Sequence, residues 1–213
     1  KNPATVWMHN GFVTVNHEKM GKSQGNFFTI REVLKTTHPE TLRFFLMRSH
    51  YRSNMEYSDK ELQEAHVGLQ TLYQALASVP PNHTVLDWSQ PHALAFKSAM
   101  NNDFSTPDAV AVLYDLAHEV HRSKDPALAS QLQQLGNVLG VFSTSPRAFL
   151  QWGVAVEPSW IEALVQERTQ AKFEKNYARA DAIRQQLQDA SILLQDTPEG
   201  TLWSMNASFQ EHF

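Results

Sequence analysis

Lys19-Met20-Gly21-Lys22-Ser23-Gln24-Gly25-Asn26 gathers two lysines, a serine, two glycines and an asparagine between an extended segment and a helix-forming stretch. Lysines supply positive charge, and glycines let a backbone approach a ligand closely. Backbone N–H groups and a following helix N-terminus add anion affinity. Such a loop suits a polyphosphate leaving group. Gly21-Lys22-Ser23 mimics the tail of a P-loop. That motif needs a glycine five residues before the G-K-S glycine, and Asn16 stands there, so the P-loop reading fails. A solvated basic turn is the plain alternative, and the flanking sequence decides between the two.

Upstream, Val6-Trp7-Met8 and Phe12-Val13-Thr14-Val15 read as two short strands or a hairpin, with Asn10-Gly11 favouring a type I′ turn between them. Downstream, Thr29-x-x-Glu32 is a capping box that opens a helix through Lys35 or Thr36. His38-Pro39-Glu40 opens a second helix with Leu42, Phe45 and Leu46 on its apolar face. Ser58-x-x-Glu61 caps a third, whose stripe is Leu62, Ala65, Leu69, Leu72, Tyr73 and Leu76, and Pro80-Pro81 breaks it. Helices follow over 91–101, from Thr106-Pro107 (Val110, Leu113, Leu116, Ala117, Val120) and from Asp125-Pro126 (Leu128, Leu132, Leu135, Leu139, ended by Gly140). These read as an up-and-down bundle. After a short helix between linkers, Ser159-x-x-Glu162 caps a helix through Glu174, with a partner over Ala178 to Ala190. Short strands at 192–196 and 201–203 flank Pro198-Glu199-Gly200 and complete a small α/β unit. Trp7, Phe27, Phe28, Phe44 and Phe45 are expected in the core.

Of the 213 residues, 42% are hydrophobic, enough for a core, and no apolar run approaches the ~18 residues of a membrane span. Zero cysteines exclude disulfides and fit a reducing, cytoplasmic compartment. The net charge of −4 is unevenly placed: residues 1–60 hold nine Lys/Arg against five Asp/Glu, and residues 61–213 hold nine against seventeen. The basic end suits phosphates. The acidic remainder would meet RNA only through local shape and base contacts. His118-Glu119-Val120-His121 is H-E-x-H rather than the H-E-x-x-H zinc helix and has no evident third ligand, so no metal site is assigned.

The quoted segment resembles the K-M-S-K-S signature of class I aminoacyl-tRNA synthetases. Its continuation through Leu34 resembles the cysteinyl-tRNA synthetase version. So do Pro39 to Met47, His50-Tyr51-Arg52-Ser53, Asn102-Asp103-Phe104-Ser105-Thr106-Pro107, Ala180-Asp181-Ala182-Ile183-Arg184 and Asp196-Thr197-Pro198-Glu199-Gly200-Thr201-Leu202-Trp203. The resemblance implies a mainly α chain: the signature-loop end of a class I Rossmann catalytic domain (1–57), an antiparallel helix bundle of the DALR type (58–152) and a small α/β anticodon-binding module (153–213). It is to the C-terminal half of that family, because the His-Ile-Gly-His signature and the cysteine-containing zinc site are absent. A fragment, inactive alone and monomeric, is the expectation.

What the resemblance implies for chemistry is adenylation of cysteine by ATP, as its Mg2+ salt, then transfer to tRNA(Cys); zinc belongs to the parent protein. Lys22 would stabilise charge on the departing pyrophosphate, Lys19 position the nucleotide, Met20 seat the loop, and Ser23 cap the turn or touch phosphate. Gly21 stands where the family usually has serine. Lys172, Tyr177, Asp181, Arg184 and Asp196 would read tRNA: Lys172 replaces an expected arginine and Tyr177 an expected tryptophan. Ser191, Gln195 and Ser204 also depart from the usual Gly, Glu and Arg. Asp181 and Arg184 have a second reading as a helix-surface pair. Arg43, Arg48 and Arg52 face either a tRNA acceptor stem or solvent. Two rival functions are a cysteine ligase of mycothiol synthesis, disfavoured by residues 157–203, and a non-catalytic tRNA-binding fragment.

Overall fold

A computed structural model describes residues 3–82, 84–154, 156–197 and 200–205. The chain divides into two compact units, Lys1–Thr144 and Ser145–Phe213. The predicted boundary at 152/153 and this one differ by a short helix, α7 (Pro146–Leu150), which packs within the second unit through buried Phe149 and Leu150.

In the first unit, β1 (Val13–Val15) pairs antiparallel with β2 (Glu18–Lys19) and parallel with β3 (Met55–Glu56). The hairpin turns at Asn16 and His17, with φ of 52° and 63°, and not at Asn10-Gly11 as the dipeptide suggests. Both central residues of a type I′ turn need positive φ, which asparagine tolerates well. Gly11 serves another purpose. Its N–H donates to the Tyr51 carbonyl at 2.8 Å, and a Cβ there would lie 2.0 Å from the Ser53 carbonyl oxygen. The glycine permits two backbone segments to touch.

The capping box forms: Thr29 Oγ1 accepts from the Glu32 N–H, and the Glu32 carboxylate accepts from the Thr29 N–H at 2.8 Å. The helix it opens, α1 (Ile30–Val33), is shorter than expected, and its last turn loosens into bends before Pro39. Then come α2 (Pro39–Met47), α3 (Asp59–Ser78), α4 (Pro91–Asn101), α5 (Thr106–Ser123) and α6 (Pro126–Leu139). The six stripe residues named for α3 and the five named for α5 are all buried. Val79 ends α3 in an extended conformation (φ −141°), as the residue before Pro80 must. Helices α3, α4 and α6 all pack on α5, around Tyr73, Phe96, Leu113, Leu116, Leu132 and Leu135. Phe44 and Phe45 are buried, but Trp7 is 66% and Phe27 43% exposed, against the core expectation.

A polar knot lies inside this unit. The Glu40 carboxylate, 5% exposed, accepts from the Tyr73 hydroxyl (2.6 Å), the Ser143 hydroxyl, and the N–H groups of Phe142 (2.8 Å), Ser143 (2.9 Å) and Thr144 (3.1 Å). Burial pushes its pKa up, but the hydrogen bonds from Ser143, Tyr73 and Phe142 outweigh it, and the net shift is downward. Beside it, His38 caps α2 by accepting from the Glu40 N–H through Nδ1 at 3.1 Å, a role open only to the unprotonated nitrogen. His66 lies 2.9 Å from the Thr41 hydroxyl, and burial drives its pKa down to about 4.

The second unit adds α8 (Pro158–Phe173), α9 (Tyr177–Asp189) and the antiparallel pair β4 (Ile192–Thr197) and β5 (Gly200–Met205). Its core is Ile161, Leu164, Ile183, Leu187, Ile192 and Trp203. Ser159 does not cap α8. Pro158 is already in its first turn, its fixed φ suiting that place, and Glu157 is the cap residue. Asn176 caps α9 by accepting from the Arg179 N–H at 3.2 Å. Pro198 and Glu199 lie outside the described residues. Ser191 leads into β4 with φ 60°.

Two outcomes follow. Glu40→Gln should lower unfolding free energy by about 2–4 kcal/mol in urea titrations, because an amide cannot accept from all these donors. The folded pKa of Glu40 is depressed, so its contribution is complete at neutral pH and lost as pH falls below the ordinary value of 4.5 toward the folded pKa. The variant's stability should therefore fall less steeply in that acid range. Ser191→Gly should raise stability by about 0.5–1 kcal/mol, since glycine adopts this left-handed conformation without a Cβ penalty. An unchanged urea midpoint would contradict it.

Candidate functional site

The basic loop is held at both ends by backbone. The hairpin register sets Lys19 opposite Thr14, and the Met20 N–H donates to the Val13 carbonyl at 2.9 Å. Residues Lys22–Gln24 then make one 3-10 turn, closed by the Gln24 N–H to the Gly21 carbonyl at 3.0 Å. Gly25 ends the turn in a left-handed conformation (φ 71°), where glycine is at no disadvantage. Asn26 ties the loop across its neck: Oδ1 accepts from the Gly21 N–H at 3.0 Å and Nδ2 donates to the Lys19 carbonyl at 3.4 Å.

Lys19, Lys22 and Ser23 are exposed and Met20 is half-buried. Gly21 is extended (φ −166°), and a Cβ there would meet nothing nearer than 3.9 Å, so the serine usual in the family would fit. No carboxylate among the described residues pairs with Lys19 or Lys22. Instead Lys19 Nζ lies 4.0 Å from the Phe12 ring centroid and Lys22 Nζ 5.6 Å from that of Phe27. The nearby Glu56 carboxylate is turned to other donors, the Thr14 hydroxyl and the His17 N–H, which lower its pKa. The helix N-terminus expected to aid the loop does not do so. Helix α1 starts only at Ile30, and its capping box occupies the donor of Glu32.

Of the three arginines, Arg52 donates to Asp103 (Nε to Oδ2, 2.7 Å), which also accepts from the Tyr51 hydroxyl at 2.8 Å. Arg48 reaches Glu64 at 3.5 Å and the Glu61 carbonyl at 3.4 Å. The Arg43 guanidinium lies against Gly140 at the C-terminal end of α6, where a cation complements the helix dipole. Among the described residues, no three His, Asp or Glu side chains converge as a metal site; His121 faces Ser78 Oγ at 3.4 Å.

In the second unit all five predicted residues are exposed, and two of them, Lys172 and Asp196, are paired with each other. Asp196 accepts from Arg168 in a fork (2.9 and 3.0 Å), from Lys172 Nζ at 2.6 Å and from Thr201 Oγ1 at 2.8 Å. Those donors, Arg168 first, hold its carboxyl well below the usual carboxylate range. Asp196 thus ties β4 and β5 to α8, with its accepting capacity spent. Arg168, 4% exposed, was missed by sequence reasoning; an arginine in register with the buried positions Ile161, Leu164 and Ala171 was the available signal. Tyr177 is 63% exposed at the first turn of α9, and Phe173 is 84% exposed at the end of α8. Asp181 and Arg184 are exposed and form no ion pair with each other; it is Arg179 that binds Glu167, at 2.6 Å.

Residues 1–67 match the family described as tRNA synthetases class I (C) catalytic domain, and residues 95–143 match the DALR domain. The cysteine–tRNA ligase of Aromatoleum aromaticum is 51% identical over 202 residues, covering 92% of this chain and 44% of the relative. That of Burkholderia thailandensis is 52% identical over 201 residues (92% and 43%), and that of Albidiferax ferrireducens 49% over 205 (96% and 45%). The chain spans less than half the length of these relatives.

Asp196→Ala should cost about 2 kcal/mol in stability, between a surface pair and a buried one, because it strands the Arg168 guanidinium. Arg184→Ala should stay within about 0.5 kcal/mol. Thermal melts of the two variants check both, and equal losses would remove the anchoring role given to Asp196.

Proposed function

The chain belongs to the cysteine–tRNA ligase family, and on that premise we propose that it provides the phosphate-handling loop and tRNA-reading end of an enzyme that charges tRNA(Cys) with cysteine. The cysteine carboxylate attacks the α-phosphate of ATP, forming cysteinyl-adenylate and releasing pyrophosphate. The terminal ribose hydroxyl of the tRNA then attacks the acyl carbon, and AMP leaves. Lys22 neutralises the charge that gathers on the departing pyrophosphate, Lys19 orients the polyphosphate, and Ser23 donates to it from the exposed turn. The observation that carries this reading is the pair of lysines, without carboxylate partners among the described residues, on a loop tied at its neck by Asn26. A cation already in place where charge develops is worth about 3–4 kcal/mol to such a step.

Residues 1–57 are the catalytic end in this reading, residues 58–152 the bundle that sets spacing, and residues 153–213 the module that reads the anticodon. Tyr177 offers a ring for stacking on a base, and Asp181 and Arg184 offer exposed polar groups to base edges. Lys172 and Asp196 contribute as a fixed pair whose remaining surface faces the RNA. This exposed constellation favours tRNA over the small acceptor of a mycothiol-type ligase. Zinc has no thiolate ligand in this chain, which has no cysteine, and no step here depends on it. Among the described residues, no helix is long and apolar enough to cross a membrane.

Binding of the chain to tRNA(Cys) and to the same tRNA with a changed anticodon, across a salt series, tests the reading. A preference for the cognate anticodon that persists at moderate salt, and is lost in Tyr177→Ala, is the expected outcome. Equal, weak and steeply salt-dependent binding would mean phosphate contact alone. The chain by itself, without a His-Ile-Gly-His signature, should show no cysteine-dependent pyrophosphate exchange. In an enzyme carrying both signatures, Lys22→Ala should reduce that exchange about 100- to 1,000-fold.

A further inference from the structure

The two lysines of the basic loop share a feature that the lysine pattern alone does not signal: each lies over a phenylalanine ring. Phe12 is 53% and Phe27 43% exposed, so neither ring is needed by the core. Both rings stand on firmly held backbone. The Phe12 N–H donates to Asn54 Oδ1 and its carbonyl accepts from the Met55 N–H, both at 2.9 Å. Phe27 follows Asn26, whose side chain closes the neck of the loop. Each lysine is the pliable member of its pair.

We propose that Phe12 and Phe27 are resting faces for Lys19 and Lys22, which hold the two ammonium groups apart and ready until a polyphosphate draws them off. This rests on the reading of residues 19–23 as a polyphosphate loop. A ring attracts an ammonium weakly, through its quadrupole, and leaves the charge unneutralised. A carboxylate in the same place would cancel that charge and compete with phosphate as an ion. A lysine that must move to an anion is therefore better kept on a ring than on an aspartate. Glu56, on β3 beside the hairpin, is engaged by Thr14 and His17 and takes neither lysine. Phe12 and Phe27 act through the lysines and are positioning residues.

NMR of the 213-residue chain, with inorganic tripolyphosphate as probe, tests this. The ε-methylene protons of Lys19 and Lys22 should resonate upfield of those of Lys97 on exposed helix surface. Phe12→Leu should return Lys19 alone to the position of Lys97, and Phe27→Leu should return Lys22 alone. The Trp variants at either position should keep the upfield shift, which separates ring loss from misfolding. Tripolyphosphate should move both lysines downfield in the wild type. It should bind each Leu variant about two- to fivefold more tightly, since the anion no longer displaces a ring. Lysine signals at the Lys97 position in the wild type overturn the proposal, as does weaker anion binding by the Leu variants, the result expected of rings that only pack the loop. Backbone amides of Lys22, Ser23 and Gln24 that ignore tripolyphosphate would instead overturn the polyphosphate reading itself, and the ring shifts would still be readable without it.

Discussion

One buried carboxylate holds the first unit to its shape. Glu40 sits in the first turn of α2, receives the Tyr73 hydroxyl from α3, and gathers the backbone of Phe142, Ser143 and Thr144 just beyond α6. An ionised group removed from water is costly unless its lone pairs are met, and here five donors meet them. Because the donors come from residues far apart in the chain, the carboxylate is satisfied only when α2, α3 and the 142–144 segment are all in place. His38 and His66 beside it are kept neutral by burial, so no second charge disturbs the arrangement at neutral pH. The strands that carry the basic loop begin from the same framework: β3 follows α2, and β1 pairs with β3.

The second unit solves a similar problem with a different balance. Its Arg168 is buried among apolar neighbours of α8, and its charge is answered by Asp196, which is half exposed. The pair fixes the strands against the helix, while Tyr177 and Arg184 stand exposed on α9. Rigid support and exposed surface thus fall to different residues of this unit.

Much of the helical part was legible because its signals are local. Capping residues, prolines in first turns and the 3.6-residue stripe mark α3, α5 and α6 in the sequence itself, and Gly140 closes α6 in the left-handed conformation expected of a helix stop. The failures share a cause, which is dependence on partners distant in sequence. Asn10-Gly11 has the composition of a turn, but Gly11 exists to let the backbone of Ser53 approach. Phe27 looks like core by composition, yet in the folded loop it is exposed, with Lys22 Nζ over its ring. Nothing local to Asp196 signals the bond that Arg168, 28 residues away, makes to it. Lys19 and Lys22 were singled out through the resemblance of their loop to a known signature, whereas the bonds by which Asn26 closes that loop needed the geometry.

The position of the Glu40 clamp has a consequence for modularity. The last residue it grips is Thr144, and the first compact unit ends at that residue. The unit is therefore closed by hydrogen bonds that its own final residues make. Ser145 begins the next unit by capping α7 through its own side chain. A junction with closure on one side and a fresh start on the other is a natural seam. Recombination or insertion there would exchange the second unit for another while leaving the loop-bearing unit intact.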